Sequence, residues 1–293
     1  MKKKTLGALI LAAGAAATLA AAATPGFSSM VTKPAEHPVS GITWSAEQFA
    51  SVDTTAEKGL AEAVRRCMAK AGYDYTPASV RTDRVDLKNS IGFDTLTVED
   101  ARASGYAVSK PKGPSEPAAD SVEGKLFADP AFQTALHGGE PQEQNMVKSS
   151  NGTGMLAGGC TGEGITVIYG NPKDYMRATG LAYNSVLIAT QSAGQDPEIQ
   201  EAVEGWKDCM SSTAFPYSQP GEAVSAGLSA GGQKELKIAV TDATCRENTG
   251  FDAKLSAVLD KYLTTRMKEL ESEVAEVQKI RSDASARAAA LLG

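Results

Sequence analysis

The chain has 293 residues, a formal net charge of −6 and only 6% aromatic residues. An acidic balance argues against nucleic acid as a partner, because binding to phosphate groups depends on an excess of Lys and Arg. The length suffices for one large domain or two small ones, and few aromatics with many Ala and Gly predict closely packed helices.

The first 23 residues have the pattern of a secretory signal peptide. Three lysines at positions 2–4 precede an apolar stretch over residues 6–23, which is the charged-then-apolar order of an export signal. Ala21 and Ala23 form an Ala-x-Ala site, so we expect cleavage after Ala23. The alternative is an uncleaved membrane anchor, since the stretch approaches the roughly 20 apolar residues that span a bilayer.

The mature chain is expected to begin at Thr24 and to be secreted or otherwise extracytoplasmic. Loss of the signal removes three lysines and no acid, so the formal charge falls by three, from −6 to −9. No cysteine lies near the cleavage site to carry a lipid. No later segment is long and apolar enough to be predicted as a transmembrane span.

The first helices follow a short leader. Residues 24–44 are rich in Pro, Ser and Thr and are predicted to be a flexible leader. Ser45 is expected to cap a first helix. A second helix is predicted over residues 55–71, ended by Gly72, because apolar residues recur there at spacings of three and four: Leu60, Val64, Cys67, Met68 and Ala71.

A sequence motif occurs twice. Cys67-Met68 and Cys209-Met210 are each followed by three residues, a small residue, an aromatic, one residue and Tyr. The second copy ends a helix predicted over residues 197–213, with Pro197 at its first position. This pattern indicates an internal duplication.

The duplication suggests a mainly α, disulfide-stapled helical domain with a duplicated Cys-Met helix motif. A first helical half would span 45–195, with a loop-rich insertion at 76–159 that contains short helices at 97–104 and 129–136. A second disulfide-bearing half would span 196–250. Segment 165–169 is a short strand or a buried helix, 172–190 is helical, and 232–247 is a helix antiparallel to 197–213, joined to it by a loop over 214–231.

The last segment, 251–293, is predicted to be a long C-terminal helix. Residues 252–292 contain no Pro or Gly, and apolar residues recur at threes and fours. A helix of about 35 residues would be roughly 50 Å long. Two alternatives stay open: the helix packs along its own domain, or it forms a coiled-coil arm that binds a partner.

Four cysteines remain in the exported chain, at positions 67, 160, 209 and 245. An even number in an oxidising compartment predicts two disulfides, for which three connectivities are possible. Each Cys-Met copy is followed by one further cysteine. This order favours Cys67 with Cys160 and Cys209 with Cys245.

Two enzyme motifs are present without their required context. Gly227-Leu-Ser229-Ala-Gly231 and His137-Gly-Gly resemble an esterase, but the catalytic His must follow the nucleophile, whereas His37 and His137 both precede Ser229. We interpret residues 227–231 as a flexible Gly/Ser loop. The dinucleotide fingerprint over residues 152–157 is not preceded by a strand.

We therefore predict no catalytic, cofactor-binding or metal-binding residues. No two cysteines are closer than 36 positions, which excludes a zinc pattern. Acid pairs such as Glu247 with Asp252 are too common in an acidic protein to indicate glycoside hydrolysis. Aromatic residues beside the cysteines either form a ligand pocket or pack against the disulfides; they are Tyr73, Tyr75, Trp206, Phe215 and Tyr217.

The segments Trp206-Lys-Asp-Cys209-Met210 and Ala239-Val-Thr-Asp242-Ala243-Thr-Cys245 resemble a group of uncharacterised exported proteins of high-GC Gram-positive bacteria. The resemblance covers mainly residues 56–75 and 155–265. Many members look like lipoproteins, whereas this chain lacks the lipid-bearing cysteine. The resemblance supports the disulfide pairing and implies no particular activity.

The expected function is that of an exported, non-catalytic binding or structural protein of the cell envelope or the extracellular space. Its partner would be an envelope or extracellular protein, bound through the C-terminal helix. The alternatives are an extracytoplasmic hydrolase of cell-wall material and a small-ligand-binding protein.

Overall fold

A computed structural model describes residues 41–77, 85–93, 95–106, 122–139, 146–148 and 154–293. The predicted signal peptide, most of the leader and parts of the predicted insertion lie outside the described residues. The described chain is mainly α-helical, as the sequence predicts. None of its helices combines the length and apolarity needed to cross a membrane.

Thirteen α-helices are found in the described part of the chain. In chain order they are α1 Gly41–Ala50, α2 Thr54–Lys70, α3 Val98–Ser104, α4 Val122–Phe127, α5 Pro130–His137, α6 Gly159–Tyr169, α7 Pro172–Met176, α8 Ala182–Gly194, α9 Pro197–Ser211, α10 Pro220–Ala230, α11 Gly232–Thr249, α12 Phe251–Glu269 and α13 Glu271–Leu292. A 3₁₀ turn covers Asn89–Ile91, and a π-helical turn joins α7 to α8 over Arg177–Leu181. Strands β1 Met146–Lys148 and β2 Gly154–Leu156 pair antiparallel, with Met146 opposite Leu156.

Four helix starts follow from the sequence because an Asp or Thr side chain caps them. Asp53 accepts from the backbone N–H of Ala56, and Asp196 accepts from that of Glu198, satisfying donors that have no partner within the helix. Thr97 and Asp129 cap α3 and α5 in the same way. The helices predicted near 55–71, 97–104, 129–136 and 197–213 are thus confirmed, and segment 165–169 is helical.

The first helix begins earlier than predicted. It starts at Gly41, so positions 41–44 of the predicted leader are helical and Ser45 is not a cap: its hydroxyl donates to the Gly41 carbonyl inside the helix, at 2.9 Å. The Thr43 hydroxyl donates to Asp260 of α12 at 2.7 Å. This long-range contact anchors the first turn, which composition alone would leave irregular.

The helices enclose two hydrophobic cores through which the chain alternates. The first core contains side chains of α1, residues 85–106 and α8–α12; the second contains those of α2, α5–α7 and the end of α13. The cores therefore do not follow the predicted division into residues 45–195 and 196–250. Helix α2 packs in the second core although the helices on either side of it along the chain belong to the first.

The segment between α9 and α11 also differs from the prediction. Residues 220–230, expected to be part of a loop, form α10, so the predicted flexible Gly/Ser loop is wrong for all but Gly231. Trp206 donates a hydrogen bond to Asp242, and three residues later on each helix Cys209 forms a disulfide with Cys245. Moving along α9 therefore means moving in the same direction along α11. Helices α9 and α11 are thus parallel, not antiparallel, and α10 supplies the return path.

The predicted long C-terminal helix is present as α13, Glu271–Leu292, but the helical segment 251–293 is divided into α12 and α13 and is not one continuous helix. The break falls at Leu270, whose backbone dihedrals are φ −91° and ψ 7° and whose side chain is buried. Leu255, Leu259 and Leu263 lie in the first core. The break turns α13 toward the second core, where Ala284 and Ala288 are buried.

Arginine side chains bind α13 to the rest of the molecule. The Arg281 guanidinium donates to the carbonyls of Ala178, at 2.6 and 2.9 Å, and of Phe49, at 2.9 Å. Burial lowers its pKa to about 10. Arg287 donates to the Ile168 carbonyl at 2.7 Å, where α6 ends. Of the two alternatives for this segment, packing along its own domain is the one observed.

Helix α13 approaches α2 closely at a glycine. A Cβ atom added at Gly59 would lie 2.3 Å from the Cβ and 2.8 Å from the Cα of Ala288. A methyl group there requires the two helices to separate. By contrast, Gly205, inside α9, has no atom within 4 Å of the corresponding position.

We predict opposite effects for the same substitution at these two glycines. Gly59→Ala should lower the free energy of unfolding by about 1–3 kcal/mol through overpacking. Gly205→Ala should leave it unchanged or raise it by up to about 1 kcal/mol, because Ala favours helix. Urea unfolding followed by circular dichroism measures both. Equal stability of the two variants would contradict the close approach of α13 to α2.

Candidate functional site

The two disulfides have the predicted pairing. Cys67 is bonded to Cys160 in the second core, with their Cα atoms 5.4 Å apart. Cys209 is bonded to Cys245 in the first core, with a Cα separation of 5.6 Å. Each hydrophobic core thus contains one disulfide and one copy of the Cys-Met motif.

A buried carboxylate one helical turn from the second disulfide is the main polar feature of the interior. Asp242 of α11 is fully buried. Its oxygens accept hydrogen bonds from the indole N–H of Trp206 and from the Tyr106 hydroxyl, each at 2.9 Å. They also accept two from the Arg246 guanidinium, at 2.7 and 3.3 Å.

The charges of Asp242 and Arg246 stabilise each other and shift the pKa values of the groups around them. Burial by itself disfavours the charge of Arg246, but Asp242, with smaller contributions from Asp252 and Tyr106, outweighs that effect, and the pKa of Arg246 is raised. Asp252 lies 3.8 Å from the same guanidinium, and the Phe251 ring centroid lies 5.4 Å from its Cζ. Burial, followed by the Asp242 charge, raises the pKa of Tyr106 above its usual value. The hydroxyl therefore remains a donor.

Helix α10 closes the carboxylate site on the side of Tyr106. A Cβ atom at Gly227 would lie 2.5 Å from Cε2 of the Tyr106 ring, so only glycine allows this packing. The backbone N–H of Tyr106 donates to Glu235 at 3.2 Å. The Gly-x-Ser-x-Gly sequence is thus explained at its first glycine by packing.

The chemistry of this site is that of a closed structural centre. Both oxygens of Asp242 accept hydrogen bonds from buried donors, which is the arrangement that makes a buried charge tolerable. The site joins α9, α11 and Tyr106, which lies two residues after the end of α3. The Trp206 and Asp242 motif positions therefore have a structural explanation in the interior of the first core.

The five aromatic residues beside the cysteines lie in different places. The rings of Tyr73 and Tyr75 meet Phe132 edge to face, each at a centroid distance of 5.3 Å, in the second core. Trp206 is fully buried in the first core. Phe215 and Tyr217 are partly buried against that first core. The five therefore pack in two separate cores and do not line one common pocket.

The elements of the esterase motif are also apart. His137 ends α5 in the second core, whereas Ser229 lies near the end of α10, which packs in the first. Burial lowers the pKa of His137. His37 and part of the dinucleotide fingerprint lie outside the described residues; Gly154 of that fingerprint begins β2. The expectation that no strand precedes the fingerprint is wrong, since β1, Met146–Lys148, does so, but β1 is only three residues long. Within the described ranges no three His, Cys, Asp or Glu side chains are grouped to hold a metal ion.

Two members of the carboxylate site were not anticipated from the sequence. Arg246 follows Asp242 by four residues, a helical spacing that places both side chains on one face. That spacing is a usable signal, although it normally indicates an exposed ion pair. Tyr106 is separated from Asp242 by 136 positions, and no local pattern indicates their contact.

Comparison of the chain with protein-family models, with curated proteins and with solved structures finds no match. Function is therefore inferred from this chain's own residues. The two disulfides and the buried carboxylate site are the features with the most specific geometry, and each yields an experiment.

Asp242→Asn should lower the free energy of unfolding by about 3–5 kcal/mol, because it leaves the buried Arg246 without its main counter-charge. The matched control is Asp283→Asn, which removes an exposed partner of Lys279 at the same four-residue spacing. We expect no measurable effect of the control, since exposed pairs contribute little. Urea unfolding of both variants tests this, and similar stabilities would contradict a buried ion pair.

Proposed function

We propose that the protein is exported and acts as a non-catalytic binding or structural protein at the cell envelope or outside the cell. The observation that carries this proposal is the presence of two disulfides, one in each core. Such bonds persist in oxidising compartments and are rare where thiols are kept reduced. The charged-then-apolar start of the chain provides independent support.

A structural or binding role is preferred to catalysis because the polar groups around the buried Asp242 are committed to the fold. Asp242 accepts hydrogen bonds from Trp206, Tyr106 and Arg246 and thereby holds their side chains together in the first core. The inward face of α13 is likewise engaged with α2 and α6. We therefore propose that an envelope partner binds the outer surface of the helical frame and not the inward face of α13.

Export is tested with the full chain and a variant lacking residues 2–23. We expect the full chain outside the cytoplasm, beginning at Thr24 by N-terminal sequencing, without thiols that react with an alkylating agent. The shortened variant should stay in the cytoplasm with reactive cysteines. A full chain retained in the cytoplasm would contradict the proposal, whereas an intact chain in the membrane fraction would indicate the anchor.

Binding is tested by sedimentation of the mature protein with isolated cell envelopes. We expect saturable co-sedimentation without new peptidoglycan or polysaccharide fragments by mass spectrometry. The matched control is the same protein after reduction and alkylation, which should bind less because its cores are no longer cross-linked. Release of fragments would support the hydrolase alternative, and absence of binding would refute an envelope-binding role.

A further inference from the structure

We infer that the two disulfides differ in chemistry: Cys67–Cys160 is a redox-active bond that exchanges with thiols outside the cytoplasm, and Cys209–Cys245 is structural. Both bonds join a partly buried cysteine to a buried one, so access alone does not distinguish them. The two bonds differ in the position of the buried cysteine, Cys160 or Cys245, along its helix. This assignment does not depend on the proposed binding role.

Cys160 differs from the other three cysteines in its position. It is the second residue of α6, whose N-terminus has no side-chain cap. Backbone N–H groups and the helix dipole stabilise a thiolate at that end. Cys67, Cys209 and Cys245 lie in the last one or two turns of α2, α9 and α11, where exposed carbonyls oppose negative charge.

Access determines which sulfur is attacked. Cys160 is 3% exposed and Cys67 is only partly buried, so an incoming thiolate reaches Sγ of Cys67. The disulfide breaks, Cys67 forms a mixed disulfide, and Cys160 leaves as a thiolate. A thiolate of lower pKa leaves faster. The same attack at Cys209 would expel Cys245, which lies toward the disfavoured end of α11.

The exchange is balanced with a dithiol as reductant. The second thiol of the reductant then attacks the reductant's sulfur in the mixed disulfide, which closes the reductant's disulfide and releases Cys67 as a thiolate. Two electrons and two protons pass to the protein, giving two cysteine thiols, and the reductant becomes a disulfide. The reverse reaction restores the Cys67–Cys160 bond.

Glu163 is a second, independent reason why the two sulfur atoms of the Cys67–Cys160 bond differ. Its Oε2 atom lies 3.4 Å from Sγ of Cys67. A carboxylate there opposes negative charge on Cys67, which favours Cys160 as the sulfur that carries the thiolate. The same carboxylate repels an incoming thiolate. The structure therefore assigns Glu163 as a residue that moderates the rate of exchange.

The assignment is tested on the oxidised mature protein without any substitution. Limited amounts of dithiothreitol or glutathione are added at neutral pH, the reaction is quenched with acid, and alkylated peptides are quantified by mass spectrometry. We expect Cys67–Cys160 to open about fivefold faster or more, with glutathione attached to Cys67. The assignment is overturned if Cys209–Cys245 opens first or at the same rate, if glutathione attaches to Cys160, or if neither bond opens in the folded protein.

Glu163→Gln tests the moderating carboxylate. We expect the opening of Cys67–Cys160 to become several-fold faster, because an anionic thiolate no longer approaches a carboxylate, while Cys209–Cys245 is unaffected. The matched control is Glu247→Gln, an exposed residue two positions after Cys245, which should leave Cys67–Cys160 unchanged. An unchanged or slower opening of Cys67–Cys160 in Glu163→Gln would remove Glu163 from this role.

Discussion

The ion pair between Asp242 and Arg246 is the constraint on which the first core depends. A charge in a protein interior is tolerated only when its partners arrive with it. Trp206 of α9 and Tyr106, which follows α3, supply the remaining donors. Because Trp206 and Asp242 each precede a bridged cysteine by three residues, the hydrogen bond and the disulfide join α9 to α11 at successive turns. The parallel direction and the register of these two helices follow from that pair of links.

In the second core, small residues allow the helices to approach each other closely. Gly164 of α6 lies against Val64 and Leu60 of α2, and Gly59 of α2 lies against Ala288 of α13. The main polar link between α2 and α6 is the Tyr169 hydroxyl, which donates to Glu57 at 3.2 Å near the edge of the core. The first core should therefore be sensitive to loss of charge at Asp242 as well as to added volume at Gly227, whereas the second is sensitive mainly to added volume. Arg281 connects them, since its carbonyl partners belong to α1 and to the π-helical turn.

Much of the helical content could be predicted from the sequence because its signals are local. Periodic apolar residues and Asp caps identify α2, α5 and α9, and the order of the cysteines favours the observed pairing. The break at Leu270 could not be predicted, since no Pro or Gly marks it. The Leu270 side chain is buried in the first core, a tertiary contact that no local pattern indicates. Helix α10 was missed because Gly221 and Gly227 within it and Gly231 just after it predict a turn, while Gly227 is required by contact with Tyr106. Trp206 and Asp242 could be singled out as motif positions, but their contact depends on the path of the chain.

The duplicated motif shows how far sequence repetition determines chemistry. In both copies the methionine after the cysteine is fully buried, at Met68 and Met210, so the ends of α2 and α9 are packed alike. The partner helices are not repeated. Along α6 the contacts with α2 run in the opposite direction, from Cys160 beside Cys67 to Ile168 beside Gly59, whereas α11 runs parallel to α9. Cys160 therefore lies at the N-terminal end of α6, whereas Cys245 lies near the C-terminal end of α11. Opposite helix ends carry opposite partial charges, so two copies of one cysteine motif acquire sulfur atoms with different reactivity.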